Sequence, residues 1–222
     1  TYSDRSSENF AALKQTAVNS GKNFWMSEVD NGNLAGTNAK NMGAGLSLAV
    51  NILEDMNSMQ PSAWVMWDIL DKHKDAEFVA PNGTNSEANT SNAQHIGTWG
   101  VGMVNHDTKE IELTQKYYVY GQFTKYINPG DTIIASSPTT LAAYNKDTGA
   151  IKIVAVNTTG DTQNYRFDLS AFSQTGTSAK IIRTSGSFTD GEHWKDVGTA
   201  EVKDGKFRFD LPANSVTTFV ID

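Results

Sequence analysis

The stretch Phe24-Trp25-Met26-Ser27-Glu28-Val29-Asp30 decides how this chain is read: it is an apolar, aromatic strand that stops at a carboxylate. Before it, Phe10, Leu13, Ala17 and Val18 recur at three- and four-residue spacing, which predicts an amphipathic helix with Ser6 or Ser7 capping its start. Asn19-Ser20-Gly21 supplies the stop, because Gly21 is free to take the left-handed conformation that ends helices. After the strand, a polar loop from Asn31 to Lys40 leads into a second helical pattern through Met42, Leu46, Ala49, Ile52, Leu53 and Met56. Gln60-Pro61-Ser62 then gives way to another apolar, aromatic run, Ala63-Trp64-Val65-Met66-Trp67, again ending at an acid, Asp68. Helix, strand, helix, strand, with continuous rather than alternating apolar residues, is the pattern of parallel strands buried on both faces.

In barrels built from such units the chemistry sits at the carboxyl ends of the strands, where Glu28 and Asp68 fall. A Glu just past a strand is ordinarily a solvated loop acid. Here the acid follows the aromatic run with no turn residue between, and the Trp67-Asp68 end repeats the arrangement. Aromatic rings beside carboxylates are what a sugar site needs, since apolar sugar faces stack on rings while acids do the proton or nucleophile work. Glu28 is therefore the candidate catalytic residue.

A chain of 222 residues holds one large domain or two modest ones and is long enough to bury a real core. A formal net charge of -7 without a basic cluster argues against nucleic acid or an anionic membrane as partner. No apolar run approaches about 18 residues, so no membrane insertion is expected. The absence of cysteine excludes disulfides, thiolate metal sites and a Cys nucleophile. His73, His95, His106 and His193 are scattered with no i, i+4 pair, so neither a metal nor a cofactor is expected. The chain opens at Thr1 rather than Met, which suggests processing or trimming.

Residues 71 to 98 are polar and irregular and read as a long surface loop or the rim of a site. Val101 to Val104 and Ile111 to Leu113 suggest a short hairpin, after which Thr114 is placed to cap a helix ended by Asn128-Pro129-Gly130. From Thr132 onward the helical period is gone. Short β-rich runs follow at Leu141–Tyr144, Ile151–Val156, Tyr165–Leu169, Lys180–Arg183, Glu201–Val202, Phe207–Leu211 and Val216–Ile221. Asp204-Gly205 suits a two-residue hairpin turn needing positive φ. This half reads as an antiparallel β-sandwich.

Three segments carry a family resemblance: Trp25-Met26-Ser27-Glu28-Val29-Asp30, Pro61-Ser62-Ala63-Trp64-Val65-Met66-Trp67, and residues 116–130, with Tyr117-Tyr118, Gly121-Gln122-Phe123 and Pro129-Gly130 as their most specific elements. Together they resemble glycoside hydrolase family 30, most closely its endo-β-1,6-galactanase branch, over essentially the whole chain. The resemblance implies the C-terminal part of a (β/α)8 TIM barrel, from the end of strand six to helix eight in residues 1–130, followed by a β-sandwich domain in residues 131–222. It implies a retaining mechanism in which Glu28, at the end of strand seven, is the nucleophile. The family's acid/base Glu, at the end of strand four, then lies outside this chain, and the N-terminal part of the same enzyme is its partner. Glu8, Glu54 and Asp55 sit on expected helices and do not replace it.

Tyr2, at the end of strand six, is implied to hydrogen-bond the nucleophile or the sugar. Trp67 is a stacking platform at the sugar subsite or the last core residue of its strand, and Trp64 faces the other way, toward the core. Trp99 is a rim residue or an anchor for the polar loop. Asp30 and Asp68 are strand-end acids in reach of substrate, although the resemblance gives neither the acid/base role. The expected substrate is a polysaccharide or oligosaccharide, with β-1,6-galactan, β-1,6-glucan and xylan in that order, and the expected location is extracellular or cell-surface, as a bacterial secreted protein. The rival reading is a non-catalytic carbohydrate-binding or surface module that retains barrel remnants.

Overall fold

The computed structural model describes residues 5–29, 41–72, 100–104 and 108–222, and the chain groups into two compact units, Thr1–Tyr117 and Tyr118–Asp222. In the first, α1 (Ser7–Ser20) begins where the Ser6 hydroxyl accepts the Asn9 N–H at 3.3 Å. It ends where Gly21 adopts φ 61° and the Gly21 and Lys22 amides donate to the Val18 and Ala17 carbonyls, each at 3.1 Å. Both helix signals in the sequence therefore act as expected. Next come β1 (Trp25–Val29), α2 (Met42–Ser58) and β2 (Ala63–Met66). The α2 helix buries Leu48, Ala49, Ile52 and Leu53 at helical spacing, which fixes the face it turns inward.

β1 and β2 pair in parallel, with Met26 opposite Trp64 and Val29 opposite Met66. β3 (Leu70–Lys72) pairs in parallel with β4 (Gly102–Val104), and β4 pairs antiparallel with β5 (Ile111–Leu113), forming the hairpin read from the sequence. The expectation that the parallel strands are buried on both faces is corrected: Trp25 is 65% exposed and Val65 is 43% exposed. Among the described residues β1 and β2 form a sheet of two strands. Thr114, expected as a helix cap, donates its hydroxyl proton to the Val101 carbonyl at 2.7 Å, tying the start of α3 (Gln115–Thr124) to the segment before β4.

The second unit is built on a six-stranded antiparallel sheet in the order β11 (Glu192–Glu201), β10 (Ser178–Ser185), β13 (Ser215–Ile221), β8 (Ile151–Asn157), β7 (Thr140–Tyr144) and β6 (Thr132–Ile134). A two-stranded ribbon of β9 (Gln163–Asp168) and β12 (Lys206–Leu211) shares its core, where Phe167, Phe207 and Phe219 meet with ring centroids 4.5–5.3 Å apart. Asp204 (φ 52°) and Gly205 (φ 71°) form the tight turn into β12, closed by paired 2.9 Å hydrogen bonds between Lys203 and Lys206. Of β11 the sequence revealed only its end, because an edge strand with polar residues along both faces leaves no apolar signature.

The two units divide inside α3, between Tyr117 and Tyr118, ahead of the Asn128-Pro129-Gly130 turn used as the boundary in the sequence. The cause is a set of long-range bonds. Gln122 is fully buried; its side-chain N–H donates to the Thr184 hydroxyl at 2.8 Å and its Oε1 accepts the Thr218 hydroxyl at 2.6 Å. Beside it, Gly121 lies against the Trp194 indole, which donates to the Tyr118 carbonyl at 2.6 Å, and a Cβ at position 121 would collide with that ring. The Gly121-Gln122 motif that carries much of the family resemblance is thus a packing device.

Candidate active site at the parallel strand ends

The site is assembled by the two strands of the first unit. The Ser62 amide donates to the Phe24 carbonyl at 3.0 Å where the strands begin, and the Trp67 amide donates to the Val29 carbonyl at 2.9 Å where they end. These bonds bracket the pair and bring its two carboxyl ends side by side. Glu28 is the penultimate residue of β1 and is exposed; Trp67, immediately after β2, is 52% exposed, and Asp68 is half-buried. The Trp67–Asp68 peptide is cis. Beyond it, the Asp68 and Ile69 carbonyls accept from the Val101 and Gly102 amides at 3.2 and 2.9 Å, which anchors the segment leaving the site. An open carboxylate on one strand end and an open indole on the next is an arrangement suited to a sugar ring, with the ring face on the aromatic and the acid toward its reactive carbon.

Tyr2, Asp30 and Trp99, also expected at the site, lie outside the described residues, as do His73, His95 and His106. Among the described residues no cluster of His, Cys, Asp or Glu is arranged to hold a metal, and no helix is long and apolar enough to cross a membrane. His193 stacks on Tyr118 with ring centroids 3.9 Å apart, and its partial burial holds the imidazole below its usual pKa, favouring the neutral ring.

The same unit holds a group on α2 that the sequence reading did not single out. Asp55 is fully buried on α2; its carboxylate accepts the Trp64 indole N–H at 2.8 Å and the Arg5 guanidinium at 2.8 Å, while Arg5 also meets Glu54 at 3.1 Å. Burial pushes the Asp55 pKa up, against the opposing pull of the Trp64 hydrogen bond and the Arg5 charge. Trp64, expected as core, is half-buried and serves as a tether that fixes β2 to α2 three residues before Trp67. The signal was present in the sequence: Leu48, Ile52, Asp55 and Met59 fall on one helical stripe, and a carboxylate inside an apolar stripe needs a buried partner.

No protein-family model matches the chain. It is 24% identical over 212 residues to an endo-beta-1,6-galactanase from Hypocrea rufa, an overlap covering 94% of this chain and 37% of that protein. Among solved structures it is similar to a GH30 endoxylanase from Clostridium papyrosolvens C71, with a TM-score of 0.64 and 21% identity over 97% of this chain and 46% of that one. A glycoside hydrolase family 30 subfamily 8 xylanase, Xyn30A, from Clostridium acetobutylicum gives a TM-score of 0.64 and 25% identity over 94% of this chain and 44% of that one. The galactanase resemblance is thus met in sequence and the family 30 resemblance in fold, and the fold shared with these hydrolases is TIM-barrel-like. The chain spans less than half the length of each of these relatives.

Proposed function

We propose that this chain is the C-terminal portion of a secreted, retaining endo-glycoside hydrolase that cleaves β-1,6-galactan, with Glu28 as its nucleophile. In this reading residues 1–130 complete a (β/α)8 barrel and residues 131–222 form an attached β-sandwich. The observation that carries it is the exposed Glu28 on a parallel strand whose neighbour ends in the exposed Trp67, in a chain similar to an endo-β-1,6-galactanase over 94% of its length. The Glu28 carboxylate attacks the anomeric carbon while the acid/base Glu, on the N-terminal part of the enzyme, protonates the leaving oxygen. Water, deprotonated by that same Glu, then releases the sugar with its configuration retained. Trp67 stacks on the sugar face, and Tyr2, Asp30, Asp68 and Trp99 line the substrate path.

The test uses the enzyme with its N-terminal part present. Glu28→Gln keeps size and hydrogen bonding but removes the attacking charge, so kcat on β-1,6-galactan should fall by several orders of magnitude while binding is largely kept. Azide should partly restore Glu28→Gly, giving a glycosyl azide of inverted configuration. A Glu28→Gln enzyme within about tenfold of the parent on β-1,6-galactan, β-1,6-glucan and xylan would reduce Glu28 to a strand-end acid.

A further inference from the structure

The outer face of the β9–β12 ribbon sets like charges opposite each other, as β10 and β11 do with Arg183 and Lys195, but in that other pair Glu192 meets both cations. The ribbon's inner face carries Phe167, Phe207 and Leu211 into the core, so by strand alternation Asn164, Arg166 and Asp168 face outward from β9, and Lys206, Arg208 and Asp210 from β12. Two of the three outward cross-strand pairs are complementary. Asn164 donates to Asp210 at 2.7 Å, and Lys206 meets Asp168 at 3.3 Å. The middle pair sets Arg166 directly opposite Arg208. Like charges in that position repel, and among the described residues neither guanidinium has a hydrogen-bond or ion-pair partner. Charge placed only to protect exposed strands from further pairing would be served equally by opposite signs, as the neighbouring row demonstrates.

The arginines also line a concavity of about 690 Å³, with Lys203, Lys206, Asp168, Asp204 and Ser170 along its rim. Counting its charged groups, four cations face two carboxylates on a chain whose net charge is -7. Two exposed guanidinium forks on directly paired residues suit a carboxylate, which accepts from guanidinium in bidentate fashion.

Resting on the glycosidase reading above, we propose that this groove is an accessory subsite for a carboxylate-bearing polysaccharide, in which a uronic acid residue of the chain is clamped between Arg166 and Arg208. It binds acidic glycan by charge and is independent of Glu28.

Affinity electrophoresis of the enzyme with its N-terminal part present, at pH 7, tests this, with polygalacturonate in the gel and its fully methyl-esterified, uncharged form as control. The acidic polymer should retard the chain, the neutral one should not, and added salt should weaken the effect. Arg166→Ala should weaken retention by about fivefold, and Arg166→Ala with Arg208→Ala by about twentyfold or more, as expected for losing charge-assisted hydrogen bonds. Lys at both positions should fall between, because the charge remains and the fork is lost. Lys146→Ala, on a different turn, should behave as the parent. If the alanine pair lowers the melting temperature, glutamine at both positions replaces it. Equal retention by both polymers, or unchanged retention in a double variant that melts like the parent, overturns the subsite. Displacement by monomeric galacturonate or inorganic phosphate at the concentration of polymer-borne carboxylate overturns the polysaccharide as the ligand. Glu28→Gln should leave retention unchanged, so failure of the hydrolase reading and failure of the groove are separately visible.

Discussion

Trp25 on β1 is 65% exposed, whereas Phe219 on β13 is fully buried, and the contrast extends to the units that hold them. The strongly exposed large hydrophobics among the described residues, Val18, Trp25, Val65, Trp67, Ile69, Leu70 and Ile111, all belong to the first unit. In the second, the six-stranded sheet and the ribbon close over one aromatic core, and charged residues take the outward positions. Strands whose apolar side chains stay open offer surface to a substrate or to further chain. Strands whose apolar side chains are satisfied by their own sheet make a scaffold. The difference puts the Glu28 and Trp67 strand ends in the unit whose apolar side chains stay open.

The largest stability effect should come from opening the closed core. Phe219→Ala removes a ring that touches Phe167, Phe207 and Phe209, and should cost about 3–5 kcal/mol in denaturant unfolding. Trp194 is the one Trp of the second unit, so its fluorescence reports the loss. A cost below about 1 kcal/mol would mean that the core is not the close-packed one described.

Asp55→Ala should follow at about 3 kcal/mol, because it leaves the Arg5 charge and the Trp64 indole without their buried acceptor. Faster amide exchange across α2 and β2 is the expected signature. Exchange unchanged from the parent would remove the tether from the account and leave Trp64 as ordinary packing.

A smaller, pH-dependent effect belongs to the second unit. Arg183, with Lys195 and Ser185, holds the Glu192 carboxyl down from its ordinary 4.5 to about 2. A lowered folded-state pKa stabilises the fold above the unfolded value and loses that contribution as pH falls through the folded one. Thermal stability should therefore be fully supported by this group above about pH 4.5 and decline from there toward pH 2. Glu192→Gln should flatten that decline; an unchanged slope would assign the acid sensitivity elsewhere, for example to Asp131, whose burial is outweighed by hydrogen bonds from Asn128, Lys152 and Asn145 that lower its pKa.

What the sequence disclosed was local. Ser6, Gly21 and Asp204-Gly205 announce their conformations through a few bonds to near neighbours, so the ends of α1 and the turn into β12 were legible. The α2 stripe and the Glu28 and Trp67 strand ends were legible for the same reason, since periodicity and the position of an acid after an aromatic run need no partner. What was hidden depends on residues far apart in the chain. Gln122 finds Thr184 and Thr218, and Trp194 finds Gly121, across separations that no local pattern encodes, and these contacts put the division between the units inside α3. Asp55 was passed over as a helix acid because its partners, Arg5 and Trp64, lie on other elements. The Arg166–Arg208 pair required the register of β9 against β12, which only the folded ribbon supplies.

In the proposed mechanism the Glu28 carboxylate forms a covalent bond to sugar, and that bond can be trapped. The enzyme with its N-terminal part present is incubated with a 2-deoxy-2-fluoro-β-1,6-galactobiosyl fluoride, digested with trypsin and examined by mass spectrometry. A stoichiometric glycosyl adduct is expected on the peptide Asn23–Lys40, with fragment ions placing it on Glu28. An adduct on Asp30 or on any other carboxylate, or hydrolysis of the probe with inverted configuration and no adduct, would contradict it.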